Sequence, residues 1–162
     1  MKLVETKFNF AEKIGEGALL SVKGKDGRIN TMTVSWGGCG ILWGKEVCFV
    51  FVRPTRFTYQ MCEDVSEFSL SFFKEGERKE TLAFCGSKSG RDYDKLKECN
   101  LSCVSDDGYV VFDDAQITIK AKKLYSDFIK EEGFFDKSLL GNYKNNDFHK
   151  VYACEIVDIE VK

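Results

Sequence analysis

The chain is poor in the residues that most often announce a function. Its 162 residues include one proline and one histidine, and no two of its cysteines are spaced Cys-x-x-Cys. With Pro54 alone, and no Gly/Ser-rich stretch, nothing marks a linker, so a single domain over residues 1–162 is expected. One histidine and no paired cysteines leave no zinc set, so no metal is expected. No apolar run approaches the about 20 residues that a membrane helix needs. The opening MKLVETKFNF lacks the apolar middle of a signal peptide. A cytoplasmic protein without membrane association is therefore expected. The formal net charge is −2 with no basic stripe, which argues against nucleic acid as a partner. Any anion it binds should be small and locally held.

Aromatic residues and thiols, by contrast, are plentiful. Aromatics make up 14% of the chain, with 14 phenylalanines, which implies a Phe-rich core or an aromatic-lined pocket. Cys39, Cys48, Cys62, Cys85, Cys99, Cys103 and Cys154 are odd in number, as expected of reduced structural thiols in a reducing compartment. Strand patterns dominate the rest. ALLSVKG runs into a turn at Asp26-Gly27 and returns as INTMTVSW. EVCFVFV is continuously apolar, like a strand covered on both faces. EFSLSFF sets Phe68, Leu70 and Phe72 against Ser69 and Ser71. SDDGYVVF carries a second turn at Asp107-Gly108. QITIKAKKLY and IVDIEVK alternate again, the latter with Val157, Ile159 and Val161 on one face. TRFTYQMCEDV, with Thr55 as candidate N-cap, RKETLAFCG and RDYDKLKEC read as short helices. Roughly seven antiparallel strands and three or four short helices suit a closed or nearly closed β-barrel, with a sandwich as the alternative.

Three stretches could carry chemistry. INTMTVSWGG offers Asn30, Thr31, Thr33 and Ser35 as short polar groups, Trp36 as a flat wall, and Gly37-Gly38 as open backbone. That set suits an aromatic heterocycle with polar edges, or simply a core tryptophan before a loose turn. VRPTRFTY places Arg53 and Arg56 around Thr55 beyond a buried strand, and planar guanidinium groups suit phosphate. They could equally neutralise Glu63 and Asp64. CGSKSGRD brings Ser87, Lys88 and Ser89 between glycines ahead of a helix, as a phosphate site would require, although no Walker A order is present. The single histidine, His149, is a candidate proton donor or substrate anchor.

Taken in order, NTMTVSWGG, WGKEVCFVFVRPTRFTYQ, FSLSFF, FCGSKSGRDYDK and DFHKVYACEIVDIEVK resemble the flavin reductase-like family with the FMN-binding split barrel, in particular its flavoredoxin-type branch. The resemblance covers most of the chain from Asn30 onward. It implies a mainly β fold, a six-stranded antiparallel Greek-key split barrel with a few short helices. It also implies a homodimer with one FMN per subunit near the interface. Asn30, Met32, Thr33 and Trp36 would surround the isoalloxazine. Arg53, Thr55, Arg56 and Thr58 would lie near the ribityl chain and phosphate, with Ser87, Lys88 and Ser89 completing the phosphate site. Cys39 departs from what the family leads one to expect after the glycine pair; it could lie beside the flavin or serve packing. Flavin N5 would do the chemistry, with no protein nucleophile. Two activities follow: an NAD(P)H-dependent FMN oxidoreductase serving a flavin or other small acceptor, or an electron carrier fed by a redox protein. A barrel that holds no flavin is the third reading.

Overall fold

The computed structural model describes residues 1–162, the side chain of Val4 apart. After helix α1 (Phe10–Glu16) come strands β1 (Ala18–Lys23), β2 (Ile29–Val34), β3 (Gly37–Leu42) and β4 (Lys45–Val52). Helix α2 (Phe57–Asp64), strand β5 (Glu67–Phe72) and helices α3 (Lys79–Ser87) and α4 (Lys95–Glu98) follow. The hairpin β6 (Cys103–Asp106) and β7 (Tyr109–Phe112) and the long strands β8 (Ile117–Phe128) and β9 (Lys150–Val161) complete the chain.

The main sheet has seven antiparallel strands in the order β2-β1-β5-β8-β9-β4-β3, and β6-β7 form a separate pair. This corrects the expected six-stranded barrel. The additional strand is β3, whose GGCGIL sequence lacks the usual strand residues. It pairs along its length with β4, from Gly37 opposite Val50 to Leu42 opposite Lys45. Pairing is set by the turn between them, where Trp43 and Gly44 both take positive φ, 53° and 70°, as a two-residue hairpin demands. Glycine is also required at Gly37, where a Cβ would meet the Phe49 carbonyl oxygen at 2.8 Å. The glycine pair is therefore strand, not a loose turn.

The two edges of the sheet, β2 and β3, are joined through Ser35 and Trp36 alone. Three peptide steps span at most about 11 Å, so the sheet must roll until its edges come close. No ladder joins them, and the barrel stays split along that seam.

Alternation places the core as expected for most strands. Phe68, Leu70, Phe72, Ile117, Ile119 and Ala121 point into the barrel beside Leu20, Val22, Met32, Val34, Cys48 and Val50. Phe8 and Phe10 pack edge-on against Phe72 at 4.9 and 5.7 Å. β9 departs from simple alternation: Ile156 and Ile159 are buried, whereas Val157 and Val161 are each 48% exposed. Lys120 pairs with Asp158 and Ala121 with Ile156, so Val157 is skipped. A bulge of this kind switches the face that following residues present. A second core, including Leu19, Cys85, Leu101, Val110 and Phe112, lies outside the barrel beneath α3, α4 and the β6-β7 hairpin. That hairpin turns at Asp107-Gly108, φ 46° and 85°, where the sequence placed it.

The helices are shorter than their patterns. Arg56, not Thr55, occupies the N-cap of α2, and no side chain caps it. Only Lys95–Glu98 of the third candidate helix is helical. Ser87 closes α3 and Lys88 is its C-cap, so the Ser-Lys-Ser stretch follows one helix end rather than opening another. No helix among the described residues is long and apolar enough to cross a membrane.

Candidate functional site in the barrel seam

The open edge of β2 sets the site. In an antiparallel edge strand, alternate residues turn both peptide groups away from the partner. The Thr31 carbonyl is one of these, since it accepts from Lys95 Nζ at 2.8 Å rather than from β1. Thr33 shares its phase within β2 and turns its main-chain groups from β1 in the same way, and Ser35 follows the strand at the cleft's other end. Two adjoining cavities lie along that edge. One, of about 340 Å³, is lined by Asn30, Met32, Arg53, Thr55, Arg56, Thr58, Ser87, Lys88 and Ser89. The other, of about 190 Å³, is lined by Met32, Thr33, Ser35, Trp36, Phe51, Arg53, Arg56 and His149. Met32, Arg53 and Arg56 line both, so the two form one cleft. A larger cavity of about 750 Å³ opens on the far side of Thr33 and holds little of this polar set.

The residues named from sequence reach this cleft except Thr31, the Gly37-Gly38 pair and Cys39, the last three being paired with β4 in strand β3. The Thr31 side chain is wholly buried, bonded to Ser21 Oγ at 2.9 Å and Leu20 O at 3.2 Å. Thr31 contributes a carbonyl, not a hydroxyl. Two other hydroxyls are already committed. Thr33 Oγ1 donates to Leu82 O at 2.6 Å and Ser87 Oγ to Ala83 O at 2.8 Å. Ser89 Oγ accepts from the Arg91 amide, which folds the loop after α3.

The wider end is cationic. Arg56 donates to Gly86 O at 2.8 Å and Arg91 to Thr55 O at 3.4 Å, so the two loops hold each other. Arg53 pairs with Asp147 at 2.8 Å, the single carboxylate in the lining. Two further residues shape this end, the first of them invisible in the sequence. Lys95 is 4% exposed, and its ammonium also donates to Cys85 O at 2.9 Å. Burial lowers its pKa, opposed by the nearby Cys85 and assisted by Arg56. In the sequence DKLKEC it looked like one more solvated helix lysine, and no local signal distinguishes it. Gly90 is the second. A Cβ there would meet Asn30 Oδ1 at 2.1 Å and Phe57 at 2.9 Å. Only glycine lets this loop close over Asn30, whose amide nitrogen donates to Thr58 Oγ1 at 2.8 Å.

The narrower end is aromatic. Trp36 lies 5.1 Å from the His149 ring and Phe51 6.4 Å from it. His149 Nδ1 meets the Tyr143 hydroxyl at 2.9 Å. Burial lowers the His149 pKa to about 4, helped by Arg53 and Arg56 and opposed by Asp147. At neutral pH the imidazole is uncharged. Cys39, opposite Cys48 on β4, packs against the barrel core, and burial pushes its thiol up to about 12. Packing, not redox chemistry, is what this position supports. All seven thiols are free, and no metal-binding cluster occurs among the described residues.

No family model matches the sequence, and no curated protein matches it. Solved structures do match in fold. An FMN-binding protein from Thermus thermophilus, solved with p-hydroxybenzaldehyde, aligns with a TM-score of 0.68 at 20% identity, over 90% of this chain and 71% of that one. Flavoredoxin from Desulfovibrio vulgaris (Miyazaki F) gives 0.68 at 17%, over 100% and 76%. The styrene monooxygenase flavin reductase of Pseudomonas putida S12 gives 0.65 at 14%, over 90% and 78%. The chain therefore has the fold of the FMN-binding split-barrel proteins, flavoredoxins and flavin reductases among them.

Proposed function

We propose that the seam cleft binds FMN and that the chain is an FMN-dependent oxidoreductase of the flavin reductase-like kind, passing electrons from NAD(P)H to a flavin or other small acceptor. The observation that carries this reading is the polarity of one continuous cleft, with a cationic end and an aromatic end joined by Met32, Arg53 and Arg56. A phosphorylated, flat heterocycle is the ligand such a cleft suits. Lys88, Arg53, Arg56 and Ser89 would hold the phosphate through charge-assisted bonds. Thr58 and Asn30 would meet the polar chain between phosphate and ring. The peptide groups of Thr33 and Ser35 would bond the ring's polar side, with Trp36 as a wall. Bound FMN would supply N5, which accepts a hydride and hands electrons on singly or in pairs.

The chain's own part is to bind, orient and donate. In the tautomer in which Tyr143 donates to Nδ1, neutral His149 carries its proton at Nε2. It would then offer a hydrogen bond to an acceptor or nicotinamide rather than a proton, since an imidazole of pKa about 4 is rarely charged near neutrality. Free thiols suit a reducing compartment such as the cytoplasm.

The homodimer also belongs to this reading. On β4 and β9 the residues opposite the core-facing set are Phe49, Phe51, Val151 and Ala153, with Phe49 beside Ala153 and Phe51 beside Val151. An outer barrel face is usually polar, and this strip is apolar, with Phe49, Phe51 and Val151 half-buried and Ala153 buried. A second copy would cover it. In sedimentation equilibrium the protein should be a dimer, and Phe49→Lys a monomer.

A flavoredoxin-type carrier is the second reading, favoured by Trp36, which is 49% exposed at the ring end, where a protein donor could approach. Anaerobic mixing of the flavin-loaded protein with NADH and with NADPH separates the two. Fast bleaching of the flavin band supports the oxidoreductase. Bleaching only by a reduced protein donor supports the carrier.

A further inference from the structure

The second core, outside the barrel, holds a pair of thiols that the cleft chemistry does not use. Cys85, in the last turns of α3, and Cys99, the C-cap of α4, meet sulfur to sulfur at 4.0 Å. Both are free thiols. A disulfide has an S–S bond of about 2.05 Å, so the pair needs to close by only about 2 Å, within reach of side-chain rotation. The two differ in access. Cys85 is fully buried, whereas Cys99 is half-buried at the edge of that core. Cys48 and Cys154 also lie opposite each other, on β4 and β9, but both are sealed inside the barrel.

The backbone at each thiol is pinned. The Cys85 carbonyl accepts from Lys95 Nζ at 2.9 Å. The Cys99 amide donates to the Lys95 carbonyl at 3.0 Å, and the Cys99 carbonyl accepts from Arg78 at 3.0 Å. The cysteines are 14 positions apart in the chain. Between them lie Ser87, Lys88, Ser89, Gly90, Arg91 and Lys95, all of which line the cationic cavity. One bond between the sulfurs would therefore close a ring around that entire loop.

We propose that Cys85 and Cys99 are a peroxide-oxidisable pair whose disulfide locks the loop that carries the cationic end of the cleft. Cys99, the accessible thiol, loses its proton and its sulfur attacks one peroxide oxygen. The O–O bond breaks, a sulfenic acid forms on Cys99, and the other oxygen leaves as water with the thiol's proton. The Cys85 sulfur then attacks the Cys99 sulfur. The S–O bond breaks, and the hydroxyl leaves as water with the Cys85 proton. Two thiols are oxidised, and one hydrogen peroxide is reduced to two waters. Burial, and then Cys99 itself, push the Cys85 thiol up to about 12, opposed by Lys95. Cys85 thus resolves the sulfenic acid rather than meeting the peroxide first. Transient, redox-sensing disulfides of this kind are the ones a reducing compartment permits. The effect on ligand rests on the flavin reading of the cleft; the formation of the bond does not.

The test treats the full chain with hydrogen peroxide and maps its disulfides by mass spectrometry of peptides. The wild type should lose two of its seven free thiols and yield one peptide pair joined through Cys85 and Cys99. Its melting temperature should rise by about 5–10 °C, reversed by dithiothreitol. Cys85→Ala should stop at a sulfenic acid on Cys99 that dimedone traps, and Cys99→Ala should form no bridge. Cys103→Ala, which removes the third thiol packed on this core, should behave as the wild type. Loaded with FMN, the oxidised protein should release it at least about threefold more slowly than the reduced one, because the loop is held in its binding conformation. No bond, or a bond through Cys103, overturns the pair, and the wild-type map decides this even where a variant does not fold. A bond that leaves FMN release unchanged overturns the lock. If no flavin binds, the flavin reading falls and the effect on release with it, whereas the peptide map and the melting temperature still decide the bond.

Discussion

At one end of the cleft Arg53, Arg56, Lys88, Arg91 and Lys95 line a cavity whose single carboxylate, Asp147, is paired with Arg53; at the other, Trp36 and Phe51 flank an uncharged His149. The two ends are a few residues apart in the chain yet are built differently. The cationic end depends on loops that hold one another through carbonyls, as Arg56 does at Gly86 and Arg91 at Thr55. The aromatic end depends on a strand edge left open because the barrel does not close. The first supplies affinity through charge, and the second shapes what may react. Substitutions should therefore separate the two.

The largest effect is expected at Gly90. Gly90→Ala forces a methyl group into Asn30 Oδ1 and the Phe57 ring. Overpacking of this kind costs about 1–3 kcal/mol, and here it displaces the loop that shapes the cationic end. FMN affinity should fall by more than about 100-fold, with a measurable loss in urea midpoint. Retained affinity would show that the loop does not hold the ligand.

Lys88→Ala sharpens the comparison. A hydrogen bond to a charged group contributes about 1.5–3 kcal/mol, so FMN binding should weaken roughly 10- to 100-fold. Riboflavin, lacking the dianion, should change less than about threefold. Equal losses for both would remove the phosphate from this end. Lys95→Met should act first on stability. It leaves the Thr31 and Cys85 carbonyls without their ammonium, at a cost of about 1–3 kcal/mol, read by denaturant melts of the flavin-free protein.

The aromatic end answers to pH. His149 has a folded pKa near 4, below the unfolded value of 6.5. The unfolded chain thus binds more protons between these values, and stability contributed by the neutral imidazole is lost as pH falls from 6.5 towards 4. This contribution is at most about 3.4 kcal/mol. His149→Gln should flatten the fall in melting temperature across that window, and an unchanged slope would mean that other groups control it. The smallest effect belongs to Cys39→Ala. With its thiol protonated at neutral pH, flavin reduction rates should shift by less than about twofold.

Much of this was legible in the residues. Alternation placed β5, β8 and the β1-β2 and β6-β7 hairpins because one strand face must be apolar. The stretches Asn30 to Trp36 and Arg53 to Thr58 stood out by their clustered polar and cationic groups, but each also had an ordinary reading, and only the family resemblance joined them; the structure lines adjoining cavities with them, the Thr31 hydroxyl apart. Strand β3 was not, since its glycines carry no pattern and its strand state comes from pairing with β4. Thr31 was misplaced because sequence shows a hydroxyl but not which side of a strand it faces. Lys95 and Asp147 were missed because burial of a charge is decided by distant segments: β2 and α3 close over Lys95, and Arg53 reaches Asp147 across the seam.

The central claim is that the split edge of the barrel is a flavin site, and the absorption spectrum of the freshly purified protein tests it most directly. The account predicts a yellow protein, or a colourless one that takes up one flavin per chain on titration. A protein that is colourless and shows no binding of riboflavin, FMN or FAD would contradict it.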